Sequence, residues 1–128
     1  MTIAQAIALV DQQKPNQYTD ADKIHWLNAI DSMIFREIIS THEDGVDHFD
    51  GYTEDTDQGT ELLAEDGFSD MYIKWLYAQI DFANQETNRY SNSMIMFNAL
   101  YADYGNAYNR AHMPKGTMIH GAGLKVRR

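Results

Sequence analysis

The stretch YSNSMIMFNALYADYGNAY, residues 90–108, decides the fold class. Large apolar side chains fall at Tyr90, Met94, Phe97, Tyr101, Tyr104 and Tyr108, at alternating spacings of four and three. Residues so spaced share one face of a helix, so this is a narrow aromatic seam made for packing on another helix. Pro114 closes the segment, because the residue before a proline is pushed out of α geometry. Just upstream, Tyr72, Ile73, Leu76, Tyr77 and Ile80 form a second helical stripe, led in by Asp70 with Ser69 as the expected N-cap. Trp75 and Phe82 sit about 60° to 80° to the other side of Tyr72, so this apolar arc is wider than one core contact needs. Between the two stripes, the polar run 85–93 either breaks the helix, with Asn92 or Ser93 as a new N-cap, or is helical throughout.

Working toward the N-terminus, Thr19 and Asp22 form a capping box, and Ile24, Leu27, Ile30, Ile34 and Ile38 continue at helical spacing to about Thr41. Ile3, Ile7 and Val10 mark a shorter helix over residues 2–13, interrupted at Lys14-Pro15-Asn16. The expected fold is mainly α, a bundle of three to four helices, with only Glu61–Ala64 able to form a strand. Residues 1–114 form one helical domain, and residues 115–128 a flexible basic tail.

From Glu43 to about Asp66 no helical template fits, which predicts a long interhelix loop or irregular hairpin. Eleven acids and no Lys or Arg lie between Glu43 and Asp70, a block that repels itself and should be solvated. Residues 1–112 hold all nineteen acids and six bases, a charge of −13, whereas residues 113–128 hold four bases and no acid. The acidic body argues against binding to phosphate backbones, and Gln5 and Asp11 interrupt the N-terminal apolar run far short of a membrane span, so no membrane partner is expected. The absence of cysteine excludes disulfides and thiolate sites, and Met1–Val10 lacks the basic start of a signal peptide, so a cytoplasmic location is expected.

Chemistry is sparse. His42-Glu43 begins like a zinc-protease motif, but Val46 stands where the second His belongs. His42, His48, Asp44, Asp47 and Asp50 could surround a divalent cation, although a solvated loop accounts for them as well. Asp55-Thr56-Asp57-Gln58-Gly59 departs from a calcium loop, its glycine coming one position early. There is no phosphate loop and no nucleophile elbow, so no catalytic residue, metal ligand or cofactor site is assigned.

The runs Tyr72-Ile73-Lys74-Trp75-Leu76-Tyr77-Ala78-Gln79-Ile80-Asp81, Asn88-Arg89-Tyr90-Ser91-Asn92-Ser93-Met94 and Tyr108-Asn109-Arg110-Ala111-His112-Met113-Pro114-Lys115, with Lys14-Pro15-Asn16-Gln17-Tyr18 and Trp26-Leu27, resemble the head–tail connector (adaptor) proteins of tailed bacteriophages and prophages. The resemblance implies a structural, non-enzymatic subunit that forms a homo-oligomeric ring and docks on the portal and neighbouring connector or tail proteins. It implies the bacterial host cytoplasm during assembly and the virion neck afterwards. Lying off the Tyr72–Leu76 stripe, Trp75 and Phe82 are expected either at a subunit contact or under the domain's own helices, and Lys115, Lys125, Arg127 and Arg128 on an acidic partner surface. A solvated tail, or one folded back on the protein's own acidic loop, is the plainer alternative. An acidic DNA-mimic inhibitor is the rival from another class, and it would need its acids spread along helix faces. A small metal enzyme built on the 42–50 loop is the third.

Overall fold

The computed structural model describes residues 1–116, so the reading of a basic segment at Lys125, Arg127 and Arg128 lies outside the described residues. Four α-helices make up the fold: α1 (Ile3–Gln13), α2 (Asp20–Glu37), α3 (Asp70–Ala83) and α4 (Thr87–Ala111). Two single 3₁₀ turns, Ile39–Thr41 and Asp66–Phe68, flank the long loop. Among the described residues there is no strand, and Glu61 contributes only an isolated antiparallel bridge to Thr2. The fold is the expected mainly helical bundle.

α3 and α4 form the main hairpin, and α1 and α2 pack on α3. The aromatic seam of α4 faces inward: Phe97 and Tyr104 are buried, and Met94, Tyr101 and Tyr108 pack at the edge of the core. In the same core Tyr72, Ile73, Leu76 and Ile80 of α3 are buried, and the rings of Trp75 and Phe68 lie 5.0 Å from Phe97 and 5.1 Å from Tyr104. Burial of each such side chain contributes about 2 kcal/mol.

Local chemistry sets the helix ends. Thr19 and Asp22 make the expected capping box, with reciprocal hydrogen bonds of 3.1 Å. Thr2 and Gln5 make a second one that starts α1. Ser69 differs from its expected role: its backbone is already helical and its hydroxyl caps nothing, because the 3₁₀ turn ahead of it delivers the chain into α3 in helical geometry. The polar run 85–93 contains a break, but at Asn84–Glu86, and α4 begins at Thr87 rather than at Asn92 or Ser93.

The loop between α2 and α3 is anchored more firmly than its charge predicts. Tyr52, Leu62 and Ala64 are buried, and Phe49 and Leu63 pack against the core. The carbonyls of Thr60 and Gln58 accept the N–H groups of Ile3 and Ala4 at 3.0 and 2.9 Å, supplying partners that the first turn of α1 cannot find within itself. The main anchor is Asp31, fully buried in α2. Its carboxylate accepts the Tyr72 hydroxyl at 2.6 Å, the Tyr52 hydroxyl at 2.5 Å and the Leu63 N–H at 3.0 Å. The Tyr72 hydroxyl in turn accepts the Ala64 N–H at 2.8 Å. Gly51 turns the chain into this clamp with a φ of +85°, and a Cβ there would lie 2.7 Å from the Asn28 side-chain oxygen that receives the Tyr52 N–H. The loop's acids are exposed, whereas its apolar and aromatic residues other than Val46 are turned inward.

Candidate interaction surface

The α3–α4 corner is assembled from the end of one helix and the start of the next. The N–H of Glu86 donates to the Asp81 carbonyl at 2.9 Å and that of Gln85 to the Phe82 carbonyl at 3.0 Å, the paired bonds of a Schellman helix end. That motif places its turning residue in left-handed geometry, which glycine adopts without strain. Here the residue is Gln85, with φ +62°. Phe82 is left 66% exposed beside it, its ring 5.3 Å from that of Tyr90. Phe82, Gln85, Glu86, Thr87 and Tyr90 line an open pocket of about 530 Å³.

Replacing Gln85 with Gly should therefore raise stability by about 1 kcal/mol, since a non-glycine residue in left-handed geometry is strained by roughly 1–2 kcal/mol. A urea melt checks this. A loss of stability would show that the Gln85 side chain makes contacts worth more than the strain.

The outward side of α4 continues from the corner. Ile95 is 67% and Met96 46% exposed, and no charged residue occurs from Tyr90 to Ala102. Reading the sequence along its aromatic seam misses this pair. The available signal is two large apolar residues on the side of the helix away from Phe97 and Tyr104.

Of the residues expected at a partner surface, the structure separates Trp75 from Phe82. The Trp75 indole N–H donates to the Trp26 carbonyl at 2.8 Å, and its ring lies 5.0 Å from Phe97, so it is half-buried between α2, α3 and α4. Phe82 faces solvent. Lys115 is exposed at the opposite end of α4, where its N–H donates to the Thr41 carbonyl at 2.8 Å.

The histidines of the loop have structural partners. His42 is buried, its Nδ1 donating to the Ile38 carbonyl at 2.6 Å and its Nε2 lying 2.8 Å from the Asn109 side-chain oxygen, which ties the end of α2 to α4. His112 hydrogen-bonds Asp44 at 2.6 Å and holds that carboxyl below its ordinary range. His48 pairs with Asp50. Among the described residues no three His, Asp or Glu side chains come close enough to hold a metal ion. None of the described helices is long and apolar enough to cross a membrane.

The arrangement thus offers apolar contact area on one hairpin of an acidic body. Set beside protein-family models, curated proteins and solved structures, the chain matches none of them.

Proposed function

We propose that this chain is a structural subunit of tailed-phage assembly, a head–tail connector that self-associates as a ring and docks on the portal, acting by binding other proteins and catalysing nothing. One observation carries the reading beyond the resemblance of sequence: Phe82, Ile95 and Met96, three of the five exposed large apolar side chains among the described residues, lie on the α3–α4 hairpin. The copies of a ring each bring a charge of −9, and like charges repel. An apolar side on which Glu86 is paired with Arg89 and residues 90–102 carry no charge is where such copies approach at the least electrostatic cost. Ring closure needs two different patches on each subunit, and the corner and the outer side of α4 supply two. In this reading Phe82 serves the subunit contact, while Lys115, Lys125, Arg127 and Arg128 engage an acidic surface of the portal or the next ring. The subunit then works in the host cytoplasm during assembly and in the virion neck afterwards.

Phe82→Glu and Ile95→Glu are both suited to a test, because these side chains are mostly outside the core. Sedimentation and electron microscopy of the parent chain, alone and with purified portal protein, should show oligomers or portal-bound density at high concentration. Either substitution should reduce that assembly at least about tenfold, as expected for a central apolar contact, with the melting temperature unchanged. A parent chain that stays monomeric at every concentration and ignores portal would overturn the reading.

A further inference from the structure

A second surface lies on the flank of the α3–α4 hairpin. Gly67, Phe68, Asp70, Met71, Leu100 and Asp103 line a groove of about 180 Å³. Its floor is apolar: Met71 is buried, and Phe68 and Leu100 are half-buried. Asp70 and Asp103 are exposed on its rim. Lys74 reaches Asp70 only at 3.8 Å, and Asp103 makes no ion pair among the described residues. Met96, one helical turn before Leu100 on α4, is exposed beyond the groove's lining. An apolar trough edged by exposed carboxylates suits an extended segment that alternates apolar and basic residues.

The chain contains such a segment outside the described residues. In Leu124-Lys125-Val126-Arg127-Arg128 the apolar and basic side chains alternate, so an extended backbone sets Leu124 and Val126 on one side. The long stems of Lys and Arg allow their charged ends to bend back to the rim. No acid occurs from residue 113 onward to oppose the attraction.

Reach selects the source. The segment departs from a fixed root, where the Glu43 N–H donates to the Met113 carbonyl at 2.9 Å and the Lys115 N–H to the Thr41 carbonyl at 2.8 Å. Asp103 lies eight residues before Ala111, about 12 Å along the helix. The nine residue steps from Gly116 to Lys125 span up to about 30 Å. A tethered segment is present at an effective concentration in the millimolar range, which favours the same chain over a second copy in solution.

We propose that this groove binds residues 117–128 of the same chain, with Leu124 and Val126 over Phe68, Met71 and Leu100, and Lys125 and Arg127 on Asp70 and Asp103. The proposal stands independently of the connector reading. Its consequence is that an acidic partner surface must compete with the groove for the basic segment, so the segment is released only where such a surface is at hand.

The absence of native cysteines makes the test direct. A full chain carrying Gly67→Cys and Gly123→Cys places one thiol in the groove, where a Cβ on residue 67 meets nothing within 4 Å, and one beside Leu124. A chain with Ala83→Cys and Gly123→Cys is the control, its first thiol being at the far end of α3. Under mild oxidation the groove pair should form an intrachain disulfide roughly tenfold faster than the control pair at low salt. Near 1 M salt, where screening acts over about 3 Å, and with Lys125, Arg127 and Arg128 changed to Glu, the advantage should largely disappear. Disulfide-linked dimers would assign the groove to the segment of a second copy and overturn same-chain docking. Formation at the control rate, or a rate indifferent to both salt and charge reversal, would remove the groove as the docking site.

Discussion

Replacing Asp31 with Ala should cost about 4 kcal/mol and release the loop between α2 and α3. The carboxylate is fully buried and serves two hydroxyls and one backbone N–H. Removing it strands those donors, and each unsatisfied buried polar group costs roughly 1–3 kcal/mol. The total stays below the sum of the three, because the loop is free to swing outward and let Tyr52 and Leu63 find water. Asp31→Asn keeps the shape but turns an amide toward donors that need an acceptor, so a smaller loss of about 2 kcal/mol is expected. Limited proteolysis reads the same event. The parent chain should be cut first within residues 44–50, whose side chains are mostly exposed, and the Ala variant also within 52–64. An Ala variant that melts and is cut like its parent would show that Asp31 does not anchor the loop.

The same residue gives a pH dependence of defined sign. Burial pushes the Asp31 carboxyl above its ordinary value of 3.8, and the hydrogen bonds from Tyr52, Tyr72 and Leu63 restrain the rise. The folded chain therefore holds a proton there at a pH where the unfolded chain has lost it. Its contribution to stability is complete below 3.8 and is lost as the pH rises through the folded value. Asp44 acts in the opposite sense, because His112 holds its carboxyl low. Subtracting the stability profile of Asp31→Asn from that of the parent cancels Asp44 and leaves the fall due to Asp31. A difference profile that is flat on the acid side would contradict the assignment.

The features legible in the sequence are those that depend on near neighbours. The spacing from Tyr90 to Tyr108 marks α4 and its inward face, and Thr19 with Asp22 marks the start of α2, since both are written within a few residues. The loop is more firmly held than its sequence suggests because its acids are a local feature and its anchor is not: Tyr52 and Leu63 meet Asp31 across 21 and 32 residues. Ser69 fails as a cap for the same kind of reason, because the preceding turn has already settled its backbone. At the candidate surface, Phe82 is found from its position off the α3 stripe. Trp75, equally off that stripe, is claimed by Trp26 and Phe97, which no spacing within α3 announces.

Lys14 shows the largest gap between local and long-range reading, and it carries the second large expected effect. In the sequence it only interrupts a helix. In the fold its Nζ lies 2.7 Å from Asp81, a carboxylate buried in α3 whose other oxygen accepts the Ser93 hydroxyl at 3.2 Å. Lys14→Met should therefore cost about 3 kcal/mol, at the lower end of the loss expected when a buried pair is deprived of one partner. Asp81→Asn should cost less, about 1 kcal/mol, because Lys14 is 21% exposed and is free to turn to water. With both changes present, no buried charge is left without a partner, so the double variant should lose little more than Asp81→Asn alone. The two single losses would then exceed the combined loss by about 3 kcal/mol in urea melts, whereas independent sites add to within about 0.5 kcal/mol. Additive losses would show that the pair is not coupled. Because Asp81 precedes Phe82 and its carbonyl receives the Glu86 N–H, Lys14→Met should also loosen the α3–α4 corner, and with it the pocket between Phe82 and Tyr90.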